Sequence, residues 1–284
     1  MALLQIDYAS ETLEQEASFL LLYPEPEQGI GIHSEKDSEK KIPVLWLLHG
    51  LSDDHTTWLR RTAVERYTAA MGLAVVMPAV SYSRYSNMAE GPLYYDYITK
   101  ELPQVCKRLL PNLSMERENN YIAGLSMGGG GAMRIGLLNP DKYSRICMLS
   151  TGGVAPLEQL WRKLPEDPAE YEMSPQYRRL RDIYGFGDTR RLEGTDHDII
   201  KLIKETALQG GRLPRIYHAM GTEDIRYPVA MKIKETFEAL PGNPYGYEYH
   251  EGPGSHEWAF WDRWIFEFLQ TLSPDGIEKG GLYG

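Results

Sequence analysis

Five stretches of this chain are almost continuously apolar, and each stops at a small or turn-forming residue. Val44–Leu48 runs into His49-Gly50, Leu73–Met77 into Pro78, Tyr121–Ala123 into Gly124, Ile146–Leu149 into Ser150, and Arg215–Met220 into Gly221. Strands that are apolar at every position, not every second one, are covered on both faces. Segments of helical length separate them: Thr62–Met71, Tyr94–Leu110, Met127–Leu138 and Tyr227–Leu240. Strands alternating with helices predict a mostly parallel sheet flanked by helices, joined by right-handed crossovers, with its chemistry at the carboxyl ends of the strands.

Both ends of the chain fit this plan. Leu3–Asp7 and Ala17–Tyr23 read as an antiparallel lead-in, followed by Pro24-Glu25-Pro26 and the charged run Ser34–Lys41, which reads as a solvated turn. Tyr245–His250 reads as a last strand and Glu257–Leu272 as a last helix. One stretch breaks the rhythm. The segment from 153 to 212 is too long for a simple connection, and with Trp161, Tyr171, Tyr177, Tyr184 and Phe186 it is too aromatic for a linker. It reads as a cap inserted over the strand ends of a single domain spanning 1–284. No internal repeat or low-complexity segment is evident.

Composition narrows the function classes. A formal net charge of −10 disfavours nucleic acid and anionic membranes as partners, because both attract basic surfaces. The two cysteines, Cys106 and Cys147, form no C-x-x-C pair and have no histidine beside them, so they read as buried free thiols and not as a redox or zinc motif. No metal or cofactor is expected. The amino terminus lacks a basic segment followed by an apolar run, and no apolar stretch approaches the length of a membrane span, so a cytoplasmic protein is expected.

Gly124-Leu125-Ser126-Met127-Gly128 is a G-x-S-x-G, a weak signal in isolation. Its context sharpens it, because Asn119–Ala123 reads as a strand and Met127–Leu138 as a helix. The serine therefore stands on a strand-to-helix turn, where a nucleophile elbow belongs. A turn that tight strains the serine backbone and leaves no room for a Cβ two residues to either side. Gly128–Gly131 would cost a purely structural helix about 1 kcal/mol per residue against alanine, whereas close approach to a strand or a substrate would require them. The bland alternative is a glycine-rich turn with an idle serine.

Of seven histidines, His256 lies in the loop Gly252–His256, after the last strand and before the last helix. The chain order nucleophile, acid, base leaves His256 and, less comfortably, His250 as the base. His33, His197 and His218 fall in the lead-in, the cap and a strand; His49 reads as a packed, hydrogen-bonded residue, with His55 in the same loop. The acid belongs in Gly221-Thr222-Glu223-Asp224, where Asp224 is preferred and Glu223 is the alternative. It would hold the His256 tautomer and stabilise the imidazolium. For the oxyanion hole, the Met127 amide follows the nucleophile directly, and the Leu51 amide is the candidate from the loop after the third strand. Trp58 and Trp258 are candidates for substrate binding; Tyr82 and Tyr85 also lie near strand ends, and all four could equally be packing.

These residues resemble a known family. His49–His55 with Trp58, Arg61-Thr62 and Glu65-Arg66, Glu101-Leu102-Pro103, Ala123–Gly129 and Ser255–Trp258 are similar to the tributyrin esterases of lactic bacteria and streptococci. Those belong to the esterase D group of α/β-hydrolases, with S-formylglutathione hydrolases and small acetyl and feruloyl esterases. The resemblance runs from about residue 1 to residue 272 and is weakest across the cap. It implies the α/β-hydrolase fold, a carboxylesterase for short acyl chains, the triad Ser126, Asp224 and His256, and an oxyanion hole from Leu51 and Met127. S-formylglutathione hydrolases carry a cysteine just after the oxyanion loop; here Ser52-Asp53-Asp54 stands instead, which counts against that substrate.

The expected function is therefore hydrolysis of a small-molecule ester through an acyl-enzyme. The alternatives are an acetyl or feruloyl esterase acting on plant-polysaccharide fragments, an S-formylglutathione hydrolase-like thioesterase, an acyltransferase, and a catalytically silent hydrolase-fold binding protein. A homo-oligomer is left open.

Overall fold

The computed structural model describes residues 1–25, 27–29, 32–34, 41–152, 154–155, 157–160 and 172–272. Eight strands form one sheet: β1 (Ala2–Ser10), β2 (Gln15–Tyr23), β5 (Val44–Leu48), β6 (Ala74–Pro78), β7 (Asn120–Leu125), β8 (Arg145–Leu149), β9 (Arg215–Gly221) and β10 (Glu248–Gly252). The short hairpin β3 (Glu27–Gly29) and β4 (Ile32–Ser34) stands apart. The order across the sheet is β1-β2-β6-β5-β7-β8-β9-β10, antiparallel through β1, β2 and β6 and parallel from β6 to β10. The mostly parallel, helix-flanked sheet expected from the apolar runs is the one observed.

The unbroken apolar character of the central strands has a simple cause. Along β5, Val44, Trp46 and Leu48 enter one core while Leu45 and Leu47 enter the other. The first core is covered by the helical stretch from Tyr94 to Leu109, by α5 (Met127–Leu138), and by the helices α7 (Ile199–Gln209) and α8 (Tyr227–Glu238). The second is covered by α1 (Thr57–Arg61), α2 (Val64–Ala69) and α9 (Trp258–Gln270). In α9 the buried residues are Phe260, Trp261, Trp264, Ile265, Phe268 and Leu269, a stripe of helical period laid on the sheet. Cys106 and Cys147 are free and buried, one in each core, and burial pushes the Cys106 thiol up to about 12.

Three expected elements differ in detail. The helix expected over Thr62–Met71 is the shorter α2, and the unexpected α1 precedes it; the two are parted at Thr62, whose hydroxyl donates to the Trp58 carbonyl at 2.6 Å and accepts the Val64 amide at 3.3 Å. The Ala63 amide then turns to Asp262 of α9, at 3.0 Å. The helix expected over Tyr94–Leu110 is present as α3 (Tyr94–Asp96), a π turn (Tyr97–Glu101) and α4 (Leu102–Leu109). Pro103 has no N–H to give the Thr99 carbonyl, which instead accepts the Lys142 ammonium at 3.0 Å. The last strand begins at Glu248 and not Tyr245. Asn243 (φ 47°) opens a turn there, and the buried Tyr245 and Tyr247 are anchors: their hydroxyls bond the Ile203 carbonyl at 2.8 Å and His218 Nδ1 at 2.9 Å. Of the charged run Ser34–Lys41, residues 35–40 lie outside the described residues.

Within 153–212 the described elements are a 3-10 turn (Leu157–Leu160), α6 (Pro175–Tyr184), a second 3-10 turn (Thr189–Leu192) and α7. Ser174 caps α6 by accepting the Tyr177 amide, and Gly185 ends it in the left-handed region. Helix α7 packs between α5 and α8, so it belongs to the layer that crosses from β8 to β9. Trp161 and Tyr171 lie outside the described residues.

Candidate active site

Strands β5, β7, β8, β9 and β10 are neighbours and end on the same edge, and the loops leaving them carry the chemistry. Ser126 follows β7 with φ 52° and ψ −116°, a conformation that non-glycine residues adopt only when the surroundings compel it. Three backbone bonds compel it here. Its amide donates to the Leu149 carbonyl at 2.8 Å, and its carbonyl accepts the amides of Gly130 and Gly152 at 3.1 and 2.9 Å. A Cβ on Gly124 would come within 2.4 Å of the Gly128 backbone, and one on Gly128 within 2.4 Å of the Leu48 carbonyl oxygen. The elbow therefore requires glycine on both sides.

His256 reaches this serine from the loop after β10. Its Nε2 accepts the Ser126 hydroxyl at 3.0 Å, and its Nδ1–H donates to Asp224 Oδ2 at 2.8 Å. Asp224 is 4% exposed, and its other oxygen accepts the Arg226 amide at 2.8 Å. Burial pushes its carboxyl up, but the His256 hydrogen bond and charge and the Arg226 amide outweigh this and hold it below the ordinary range. The chain thus keeps a buried carboxylate ionised behind a histidine. His250, the less comfortable candidate, lies instead against Tyr217, ring centroids 4.3 Å apart.

Glu223, the alternative acid, bonds elsewhere. Its carboxylate accepts the Gly254 amide at 2.7 Å and its own amide donates to the Gly254 carbonyl at 3.1 Å. The loop after β9 is thereby fastened to the loop that carries His256.

The amides of Met127 and Leu51 donate no hydrogen bond to another of the described residues, and Met127 begins α5, whose dipole is positive at that end. The loop bearing Leu51 is held from several sides. The Gly50 amide donates to Asp53 at 3.1 Å, and the His49 carbonyl accepts the Tyr85 hydroxyl at 2.9 Å. His49 itself donates from Nδ1 to the Gly50 carbonyl at 2.7 Å and accepts the Val80 amide on Nε2 at 3.1 Å. Burial pulls its pKa down to about 4, so it is a neutral structural strut.

Of the aromatic candidates, Trp58 and Tyr85 are buried, and Trp258 and Tyr82 are half-buried. Trp58 is 1% exposed, and its indole N–H donates to the Leu48 carbonyl at 3.0 Å, so it presents no face to a substrate. Trp258 meets Trp58 edge-on with centroids 5.4 Å apart, Trp261 meets Trp258 at 5.1 Å, and His256 meets Trp261 at 4.9 Å. This chain of perpendicular rings backs the histidine from the core side. Tyr85 is fully buried, and Tyr82 is tied to Asp182 at 3.2 Å. Sequence reasoning missed the roles of Glu223, Asp53 and Tyr85 as fasteners, since nothing in local pattern marks a residue that acts by bonding a distant loop. Among the described residues no group of three or more His, Cys, Asp or Glu side chains could hold a metal ion, and no helix is long and apolar enough to cross a membrane.

The model of the Esterase family matches residues 10–272. The chain belongs to that family. The esterase is 28% identical over 278 residues to an acetyl esterase of Caldicellulosiruptor saccharolyticus, covering 96% of this chain and 100% of that one. Among solved structures it is similar to the fluorophosphonate-binding serine hydrolase F of Staphylococcus aureus, with 31% identity and a TM-score of 0.78 over 95% of this chain and 98% of the other. An S-formylglutathione hydrolase from the same organism gives 30% identity and a TM-score of 0.77 with the same coverage. The sheet and its helices are those of the α/β-hydrolase fold, and the protein is a carboxylic ester hydrolase.

Proposed function

We propose that this esterase hydrolyses short-chain acyl esters through an acyl-enzyme. Ser126 is the nucleophile, His256 the general base and then acid, and Asp224 the group that holds the His256 tautomer. The observation that carries the reading is the unbroken relay from Ser126 Oγ to His256 Nε2 (3.0 Å) and from His256 Nδ1 to Asp224 (2.8 Å). His256 removes the hydroxyl proton as Oγ attacks the ester carbonyl. The resulting imidazolium faces an ionised, buried carboxylate, which stabilises it without taking the proton. The oxyanion is received by the Met127 and Leu51 amides, already oriented and without competing partners among the described residues, so little reorganisation opposes the step. His256 returns the proton to the departing alcohol. Water, activated by the same histidine, then releases the acid.

A short acyl group is supported by the resemblance to the tributyrin esterases of the esterase D group and by the likeness to an acetyl esterase. The one-domain plan with a cap inserted at 153–212, and a cytoplasmic location, belong to the same proposal. A thioesterase acting on S-formylglutathione is the second reading, favoured by the likeness to the staphylococcal hydrolase and opposed by Ser52-Asp53-Asp54 after the oxyanion loop. Parallel kinetics on p-nitrophenyl esters from acetyl to octanoyl, methyl ferulate, acetylated xylan and S-formylglutathione decide between them. The highest kcat/KM is expected on acetyl to butyryl esters. A preference for S-formylglutathione by more than about 100-fold would replace this reading with the second.

A further inference from the structure

A cavity lies at the C-terminal end of α6. It measures about 340 Å³ and is lined by residues of the loop before α3 and of the segment 183–197. None of Ser126, Asp224, His256, Leu51 or Met127 lines it, so it is no extension of the relay. Its volume is at the lower end of the roughly 300–1,000 Å³ typical of small-molecule sites.

The walls are aromatic and cationic. The rings of Tyr184 and Phe186 lie nearly parallel, 27° apart with centroids separated by 6.3 Å, and His197 stands edge-on to Tyr184 at 5.0 Å. Met88, 8% exposed, adds a polarizable floor suited to an aromatic ring. The Arg191 guanidinium sits 4.1 Å above the Phe186 ring, at the cavity wall. In a chain of net charge −10, no Asp or Glu is among the lining residues. The neighbouring carboxylates have partners: Asp188 accepts Arg190 at 2.8–3.1 Å and also feels the Arg191 charge, Asp196 pairs with Arg134 at 2.5 Å, and Asp182 accepts the Tyr82 hydroxyl. Arg84 adds a further cation 6.0 Å from the Tyr184 ring. His197 registers the local potential: burial first, and then the charges of Arg134 and Arg84, pull its pKa down to about 4 against the opposing pull of Asp196.

We propose that this cavity is a binding site for a small planar aromatic carboxylate, its ring against Tyr184, Phe186 and Met88 and its carboxylate on Arg191. Arginine suits the role because its flat fork can pair with a carboxylate while one face stays on Phe186. An aromatic ring gains edge and face contacts from such walls that a saturated ring of equal size does not. The neutral imidazole of His197 contributes a ring wall and no competing charge.

The probe is trans-cinnamate, titrated calorimetrically into the full-length esterase, with cinnamyl alcohol and cyclohexanecarboxylate as the uncharged and the saturated controls. Cinnamate is expected to bind at one site per chain, with each control weaker by about ten-fold or more. Arg191→Gln is expected to weaken cinnamate by about ten-fold or more while p-nitrophenyl acetate turnover is unchanged. Ser126→Ala is expected to leave cinnamate affinity unchanged. Arg191 is exposed, so its replacement does not threaten folding. Equal affinity of Arg191→Gln and wild type for cinnamate would overturn the proposal, as would loss of binding in Ser126→Ala or equal affinity for the acid and the alcohol.

Discussion

Glu223 and Gly254 hold each other by two hydrogen bonds, carboxylate to amide at 2.7 Å and amide to carbonyl at 3.1 Å, across a sequence gap of 31 residues. The pair sits between the neighbour of Asp224 and the loop of His256, so it sets how closely the acid and the base approach. Glu223→Gln retains an acceptor oxygen and is expected to keep kcat within a few-fold. Glu223→Ala frees the loop and is expected to lower kcat by about 10- to 100-fold, the cost of misplacing a catalytic group by about 1 Å. Asp224→Asn should cost roughly 10⁴. Steady-state kinetics on p-nitrophenyl acetate give the ranking; a glutamine variant as impaired as Asp224→Asn would make Glu223 the acid.

The strained backbone of Ser126 separates stability from activity. Ser126→Ala removes the proposed nucleophile and is expected to lower kcat by on the order of 10⁶ and to abolish fluorophosphonate labelling. Ser126→Gly should be equally inactive but more stable than the alanine variant by about 1–3 kcal/mol, because glycine adopts φ 52° and ψ −116° without penalty. Urea melts of both variants read the difference, and equal midpoints would mean that the elbow stores no strain.

Gly128 meets backbone in two places, since an added Cβ would lie 2.4 Å from the Leu48 carbonyl oxygen and 2.6 Å from that of His49. Those atoms begin the loop proposed to supply the oxyanion hole and cannot swing aside as a flexible side chain would. Gly128→Ala should therefore destabilise by about 1–3 kcal/mol and depress kcat together, since the strain is relieved by moving Leu51 away from Met127. A variant that loses stability but keeps wild-type kcat would show that the oxyanion loop does not move with it.

Acid stability follows from three histidines held neutral in the fold. Burial is the first cause in each, pulling His49 and His197 down to about 4 and His218 down to about 3, all below the unfolded value near 6.5. The unfolded chain therefore binds more protons than the folded one between these limits. Stability from the three groups is fully present above pH 6.5 and falls as pH drops toward 4, with a combined slope approaching about 4.1 kcal/mol per pH unit. His218→Gln should flatten roughly a third of that slope. Chemical denaturation at half-unit pH steps measures it, and a stability independent of pH between 6.5 and 4.5 would contradict the assignment.

What could be read from sequence depended on the range of the interactions concerned. β5 and β7–β9 announce themselves because each residue is buried on one face or the other, which local composition records. Ser126 and His256 are legible because a tight turn needs glycines and because chain order restricts the base. The separate helix α1 before Thr62, the π turn over Tyr97–Glu101 and the late start of β10 were not legible to the residue, since each is tied to a distant partner: Asp262, Lys142 or Ile203. Trp58 misled for a related reason. An aromatic side chain beside a strand end reads the same whether it faces solvent or, as here, donates to Leu48 inside the core.

The place where the chain departs between β8 and β9 has an evolutionary consequence. The two strands pair in parallel through Arg145↔Arg215 to Leu149↔Ala219, and α7 closes the layer over them, whatever precedes it. Doubling a flexible connection costs only about 0.6 kcal/mol in closure entropy. Lengthening the part between Gly152 and α7, away from its buried residues Leu157, Leu180, Ile183 and Leu192, thus adds little closure cost, while apart from the Gly152 amide on the Ser126 carbonyl the bonds described for Ser126, Asp224 and His256 lie elsewhere in the chain. Under the proposal that a cap lies in this segment, changes there would alter which esters are accepted, and descendants of one ancestral scaffold would diverge in substrate while the chemistry stays fixed.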